Sequence, residues 1–239
     1  MSCARALFLL PVCLTAPAAF ADGPLVMDYD TPAASWNEAL PLGDGRLGAM
    51  VFGGFGAERI QLNEDTFWAG SPNHSFEPRM AGVMKTVGRL IHSEGPEAAQ
   101  KWFDAQRIGV SRTPCSLAYQ TIGSVWLRFA DVVLPTDYRR SLSLDDAIAR
   151  TRYTMRGCEY RRGTFVSLAD GVLAMRLTAS QPGRLSFGAS WDSPFHVFAR
   201  VKTVATNAVA LCETSGECFG VPGSVRACAI LAADAKGGT

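Results

Sequence analysis

Gly43, Gly45 and Gly48 spell G-x-G-x-x-G within LPLGDGRLGAMVFGG (residues 40–54), and Glu64 with Asp65 follow about 20 positions later. Glycines at that spacing let backbone approach a pyrophosphate, provided that a strand precedes them and a helix opens directly behind. Neither condition holds. Pro41 stands where a central parallel strand would need a donor, and the following AMVFGGFG is poor helix sequence. The glycines are instead expected to let a loop bend tightly ahead of a strand and to let other chain pack closely on it.

Glu64 and Asp65 raise a second possibility, acid–base hydrolysis by paired carboxylates. In extended chain, adjacent side chains point to opposite faces, so these two cannot flank one glycosidic bond. The polar run Asn63, Glu64, Asp65, Thr66 lies between apolar Ile60 and Leu62 on one side and Phe67 and Trp68 on the other. Such a run either satisfies buried loop backbone or lines a pocket, and the residues alone leave both open. No C-x-x-C occurs, and His74, His92 and His196 are widely separated, so no metal site is expected. No nucleophile elbow, P-loop or calcium loop is present, and no cofactor is expected.

The elements that must position these residues are mostly strands. Alternating stretches at 46–53, 58–62, 124–129, 147–155, 160–167, 172–179 and 185–191 are separated by turn residues, and ACAILAA (227–233) is strand-like again. The glycine-rich 53–56 segment joins the first two as a hairpin. This spacing predicts an all-β sandwich. One region differs. Met80, Val83, Met84, Val87, Leu90 and Ile91 recur at helical spacing, Gly95 ends that helix and Pro96 opens a second through Phe103. The apolar stripe is expected to pack against a sheet. Trp36 and Trp191 are expected in the core, and the pairs Arg139-Arg140 and Arg161-Arg162 as solvated charges at strand ends. Asn73-His74-Ser75 is a formal glycosylation sequon.

The first 21 of the 239 residues read as a secretion signal: Arg5, the short apolar run ALFLLPVCL, then Ala19-Phe20-Ala21 as a cleavage site. That run is too short to span a bilayer as a helix, so cleavage is expected rather than a membrane anchor. The expected location is secreted or periplasmic. Of 23 basic residues, removing Arg5 leaves 22 against 22 acidic ones, and no basic stripe is visible along the chain, so no nucleic-acid partner is expected. Of seven cysteines, five lie beyond the leader (Cys115, Cys158, Cys212, Cys218 and Cys228), so at least one stays free or pairs between molecules. Cys212 and Cys218 are close enough to close a small loop, and the alternative is isolated buried thiols.

WNEALPLGDGRLGAMVFGG (36–54) followed by ERIQLNEDTFWAGSPN (58–73) resembles the N-terminal domain of glycoside hydrolase family 95, the secreted α-L-fucosidases and some α-L-galactosidases. AYQTIGSVWLRF (118–129), DYRRSLSLDDAIARTRYTMRGCEYRRGTFVS (137–167) and VLAMRLTASQPGRLSF (172–187) are similar to the same domain, in order. Asp44 stands where asparagine is common, and Cys158 is unusual. A glycoside phosphorylase sandwich would share the architecture but fits NEDTFWAG and GDGRLGAMVFGG less well.

The resemblance implies a large antiparallel β-sandwich with a helical insertion near 79–105, joined by a linker to a separate (α/α)6 barrel. It also implies inverting hydrolysis of terminal α-linked L-fucose or L-galactose on a glycan. The acid and the water-holding groups would belong to the barrel, leaving no catalytic residue in this chain. Residues 22–239 are expected to form the sandwich, incomplete at its C-terminal end, because a strand there has no closing partner. The 43–48 loop and the 63–68 segment would then approach the barrel's sugar pocket. Trp68 would stack on an apolar sugar face, and Asn63 or Glu64 would accept hydroxyl hydrogen bonds. The competing function is a free-standing secreted β-sandwich that binds glycans or another protein.

Overall fold

A computed structural model describes residues 24–72, 79–106, 117–195 and 198–236. The leader, the sequon, Cys115, His74 and His196 lie outside them. In chain order the strands are β1 (Val26–Tyr29), β2 (Leu40–Gly43), β3 (Leu47–Val51), β4 (Ala57–Trp68), β5 (Tyr119–Phe129), β6 (Thr136–Ser143) and β7 (Ile148–Met155). They continue with β8 (Cys158–Ser167), β9 (Val172–Ala179), β10 (Phe187–Asp192), β11 (Ala199–Ala205), β12 (Ala208–Thr214) and β13 (Arg226–Ala232). Helices α1 (Met80–Glu94) and α2 (Pro96–Ala105) sit between β4 and β5.

The strands form three antiparallel sheets, ordered β1-β6-β7-β8-β9, β10-β5-β4-β3-β2 and β11-β12-β13. Alternation along β4 turns Ile60 and Leu62 inward, where they meet Val125 and Leu127 of β5, Leu142 of β6 and Ala149 of β7. Leu211 of β12 closes the same core from the third sheet. This is a mainly β protein whose sheets pack face to face, as the alternation predicts. Pro41 is accommodated because β2 is the outer strand of its sheet, where a missing donor costs no ladder bond to a further strand.

Several local expectations are corrected. The arginine pairs are not solvated together: Arg139 and Arg161 are exposed, but Arg140 and Arg162 are buried, because successive strand residues face opposite sides. Trp191 is in the core, whereas Trp36 opens a short 3₁₀ turn (Trp36–Glu38) and is 55% exposed. The turn buries the residues that follow it, Ala39 and Leu40, in place of the indole. Cys212 pairs with Cys228, not Cys218, because the two sit directly opposite in β12 and β13 with Cα atoms 4.2 Å apart. Cys158 and Cys218 are free thiols. Both helices form as expected, with Gly95 at φ 93° between them and Pro96 opening the second. They pack chiefly on each other rather than on a sheet. Val83 and Leu90 are buried, and Met84 and Ile91 stay exposed.

The two large sheets share a buried ion pair. Glu58 of β4 meets Arg162 of β8 at 2.6 Å, with both side chains almost fully enclosed. The second carboxylate oxygen accepts the Gly53 N–H at 2.8 Å. Arg162 also donates to the Gly54 carbonyl and to the Tyr153 hydroxyl, each at 2.6 Å, and its guanidinium lies 4.4 Å from the centre of the Phe129 ring. Burial pushes the Glu58 carboxyl up, while Arg162 and the Gly53 amide oppose the rise. Arg140 works similarly on the entering segment, donating to the carbonyls of Thr31 and Glu38 at 2.7 Å each.

Removing one partner of such a pair strands the other in low dielectric. Arg162→Met is expected to destabilise the fold by roughly 3–5 kcal/mol in denaturant titration. Adding Glu58→Gln to that variant should recover part of the loss, and additive losses would show that the two groups are not coupled.

Glu213 of β12 offers the contrasting case. It is 3% exposed, and its Oε2 accepts from Ser193 at 2.6 Å, while Oε1 has no partner among the described residues. Burial raises its pKa, and the Ser193 hydroxyl opposes only in part. A raised folded pKa stabilises below the ordinary glutamate range and is lost as pH climbs through the folded value. Glu213→Gln has no charge to bury, so its stability relative to the parent should improve as pH rises above the ordinary glutamate range and level off once the raised folded value is passed. Parallel stability–pH curves for the two proteins would refute a desolvated carboxylate.

Candidate functional site

The G-x-G-x-x-G stretch is a β-hairpin turn between β2 and β3. Gly43 and Gly48 are cross-strand partners, and Gly45 between them takes φ 95°, a conformation that favours glycine. A Cβ on Gly43 would come within 3.0 Å of the Leu47 carbonyl oxygen, so that approach also needs glycine. The Asp44 carboxylate accepts the backbone N–H groups of Arg46 at 2.9 Å and Leu47 at 2.7 Å, which hold its pKa below the usual range. Glycine freedom and an aspartate turn thus build a tight corner, followed by a strand and not by a helix.

The corner aims Arg46 at β4. Its Nε meets Glu64 Oε1 at 2.8 Å, across a register that sets Leu47 opposite Glu64 and Gly48 opposite Asn63. Glu64 Oε2 accepts the Thr66 hydroxyl at 2.6 Å and the Thr66 N–H at 2.9 Å. Partial burial pushes the Glu64 carboxyl up, but Thr66 and Arg46 together outweigh it and leave the pKa lowered. Glu64 is therefore ionised at neutral pH and serves as an acceptor, not as a proton donor. Asp65 beside it is exposed. The two do not face each other as a hydrolytic pair.

Register irregularities in β4 on both sides of Asn63 break the alternation. Before them the even positions Ile60 and Leu62 are inward; after them Phe67 is buried and Trp68 is turned outward. Trp68 stands opposite Tyr119 of β5, their ring centroids 5.1 Å apart and their planes tilted by 59°. The indole N–H donates to the Asp65 carbonyl at 2.9 Å, and the Tyr119 hydroxyl donates to the Glu64 carbonyl at 3.0 Å. Each ring keeps a large free face, with Trp68 42% and Tyr119 43% exposed.

The structure thus gathers Asn63, Glu64 and Trp68, together with Arg46, Asp44 and Tyr119, at one end of the second sheet. Tyr119 was not singled out by sequence, because only the β4–β5 register sets it against Trp68. The arrangement offers two aromatic faces beside an ionised carboxylate, the usual means of binding a sugar ring with an apolar face and hydroxyl donors. An apolar cleft of about 290 Å³ lined by Pro41, Leu42, Leu142, Leu144 and Val166 carries no titratable group. Among the described residues no cluster of histidine, cysteine or carboxylate side chains is arranged to hold a metal ion.

The three antiparallel sheets packed on one core make the protein a β-sandwich. The chain belongs to the family described as glycosyl hydrolase family 65, N-terminal domain, which matches residues 27–239. It is 32% identical over 176 residues to "Alpha-L-fucosidase 2" of Arabidopsis thaliana, covering 72% of this chain and 20% of that protein. It is 29% identical over 156 residues to "Probable alpha-fucosidase A" of Aspergillus niger, covering 63% of this chain and 19% of that protein. The resemblance to the fucosidase N-terminal domain is thereby shown. The chain spans about one fifth of the length of these relatives.

The Arg46–Glu64 contact makes a direct prediction. Arg46→Ala should raise the Glu64 pKa toward the ordinary glutamate value, as followed by carboxyl-carbon NMR titration. An unmoved titration would mean that Thr66 alone holds the carboxylate.

Proposed function

We propose that this chain is the N-terminal β-sandwich domain of a secreted α-L-fucosidase-like glycoside hydrolase. The full protein would remove terminal α-linked L-fucosyl or L-galactosyl residues from a glycan with inversion, with its acid and its water-holding groups on a companion (α/α)6 barrel outside these residues. The observation that carries this is the similarity to the plant fucosidase, which extends over 72% of this chain. Secretion is supported by the signal-like leader and by the Cys212–Cys228 disulfide, a bond that persists in oxidising compartments. The paired faces of Trp68 and Tyr119 and the acceptors on Asn63 and Glu64 support a role for this edge at the rim of the sugar pocket.

Two measurements test this. The purified chain by itself should release no fucose from an aryl α-L-fucoside, and turnover by it would overturn the placement of the catalytic groups. In a full-length relative, alanine at the position aligned with Trp68 should raise KM about fivefold, corresponding to about 1 kcal/mol of lost aromatic contact. Unchanged kinetics in a well-folded variant would remove this edge from the substrate.

A further inference from the structure

The outer face of the first large sheet carries an arrangement that charge counting along the chain does not reveal. Arg139 of β6 lies directly opposite Arg152 of β7, which lies directly opposite Arg161 of β8. In the adjoining row, Arg150 of β7 and Arg176 of β9 flank Gly163 of β8, which has no side chain to fill the space between them. All five arginines are exposed. Like charges directly opposite on a sheet cost stability, yet two such contacts stand side by side here.

Local carboxylates neutralise the face only in part. Asp28 meets Arg139 at 3.3 Å, Asp146 meets Arg150 at 2.6 Å and Glu159 meets Arg161 at 2.9 Å. Arg152 and Arg176 have no ion pair or hydrogen bond of their own among the described residues, although Arg152 adds a longer-range pull on Glu159 beyond that of Arg161. The face therefore keeps an excess of positive charge, while the chain without its leader is balanced overall.

We propose that this face binds an acidic polysaccharide, a chain bearing carboxylate or sulfate groups. Guanidinium forks pair with both groups bidentately. Neighbouring strands lie about 4.8 Å apart, so the arginine row offers closely repeated anion sites along a line. Exposed Thr178 continues that row, and Ser141 lies beside Arg150 in the other, placing hydroxyls beside the charges for sugar hydroxyls. Duplex nucleic acid fits less well, because a five-stranded sheet is broader than the helix or two-stranded ribbon that a major groove admits. The choice of a glycan rests on the function proposed above, while the surface itself is distinct from the Trp68 edge.

Affinity electrophoresis of the purified chain through gels containing polygalacturonate, dextran sulfate or neutral dextran tests this. Retardation is expected in one or both acidic gels and not in dextran, the two acidic arms separating carboxylate from sulfate recognition, and it should weaken as salt rises. Arg152→Glu combined with Arg176→Glu should weaken retardation at least tenfold with an unchanged melting curve, whereas Trp68→Ala should leave it intact. Equal mobility in all three gels, or full retention of binding by a folded double variant, overturns the proposal. Tighter binding to single-stranded DNA than to either acidic polysaccharide overturns it in favour of nucleic acid. Because fucose release and the Trp68 effect are read in separate assays, failure of the fucosidase reading would be distinguishable from failure of this one.

Discussion

The sandwich depends on a charge that it cannot leave unpaired. Glu58 is fully enclosed between two sheets, and Arg162 reaches it from the opposing sheet. Neither ion would be tolerated there alone, since desolvation outweighs what an apolar surround returns. The pair is embedded in further bonds, to Gly53 N–H, the Gly54 carbonyl and the Tyr153 hydroxyl, while the Tyr138 hydroxyl takes the Gly53 carbonyl at 2.6 Å. A network satisfied at this many points specifies one arrangement of the sheets, where apolar contact alone would accept several.

The consequence extends along the β3–β4 hairpin. The hub clamps its 53–56 turn, and Gly53 there holds φ 75° with Tyr138 and Arg140 close against it. Fixing the turn fixes the register, because a slip of one residue would send every side chain to the other face. That register places Asn63 opposite Gly48 and Glu64 opposite Leu47, which brings Arg46 within reach of Glu64 at the far end. The candidate sugar edge is thus held at one end of a hairpin anchored at the other.

The two large sheets turn different chemistry outward. The end of the second presents the exposed rings of Trp68 and Tyr119 beside the Glu64 carboxylate. The broad outer face of the first presents guanidinium groups in register. Both are consequences of strand pairing rather than of sequence neighbours, and the third sheet, closed by its Cys212–Cys228 bridge, contributes Leu211 and Val209 to the core between.

Much of the architecture was legible in the chain itself. The alternation through Ile60 and Leu62, the helical stripe ending at Gly95 and the turn glycines each report a local period, and a period of two or of 3.6 needs no knowledge of the partner. The same locality excluded a nucleotide loop, since AMVFGGFG cannot open a helix. Asn63, Glu64 and Trp68 stood out as a polar and aromatic interruption of that alternation. What tertiary structure alone decided was everything that depends on which strand lies beside which. Arg140 and Arg162 became buried, Cys228 rather than Cys218 met Cys212, Tyr119 joined Trp68, and three separated arginines became one row. Register is set by contacts between residues far apart in the chain, and local periodicity says which way a side chain points without saying what it will meet.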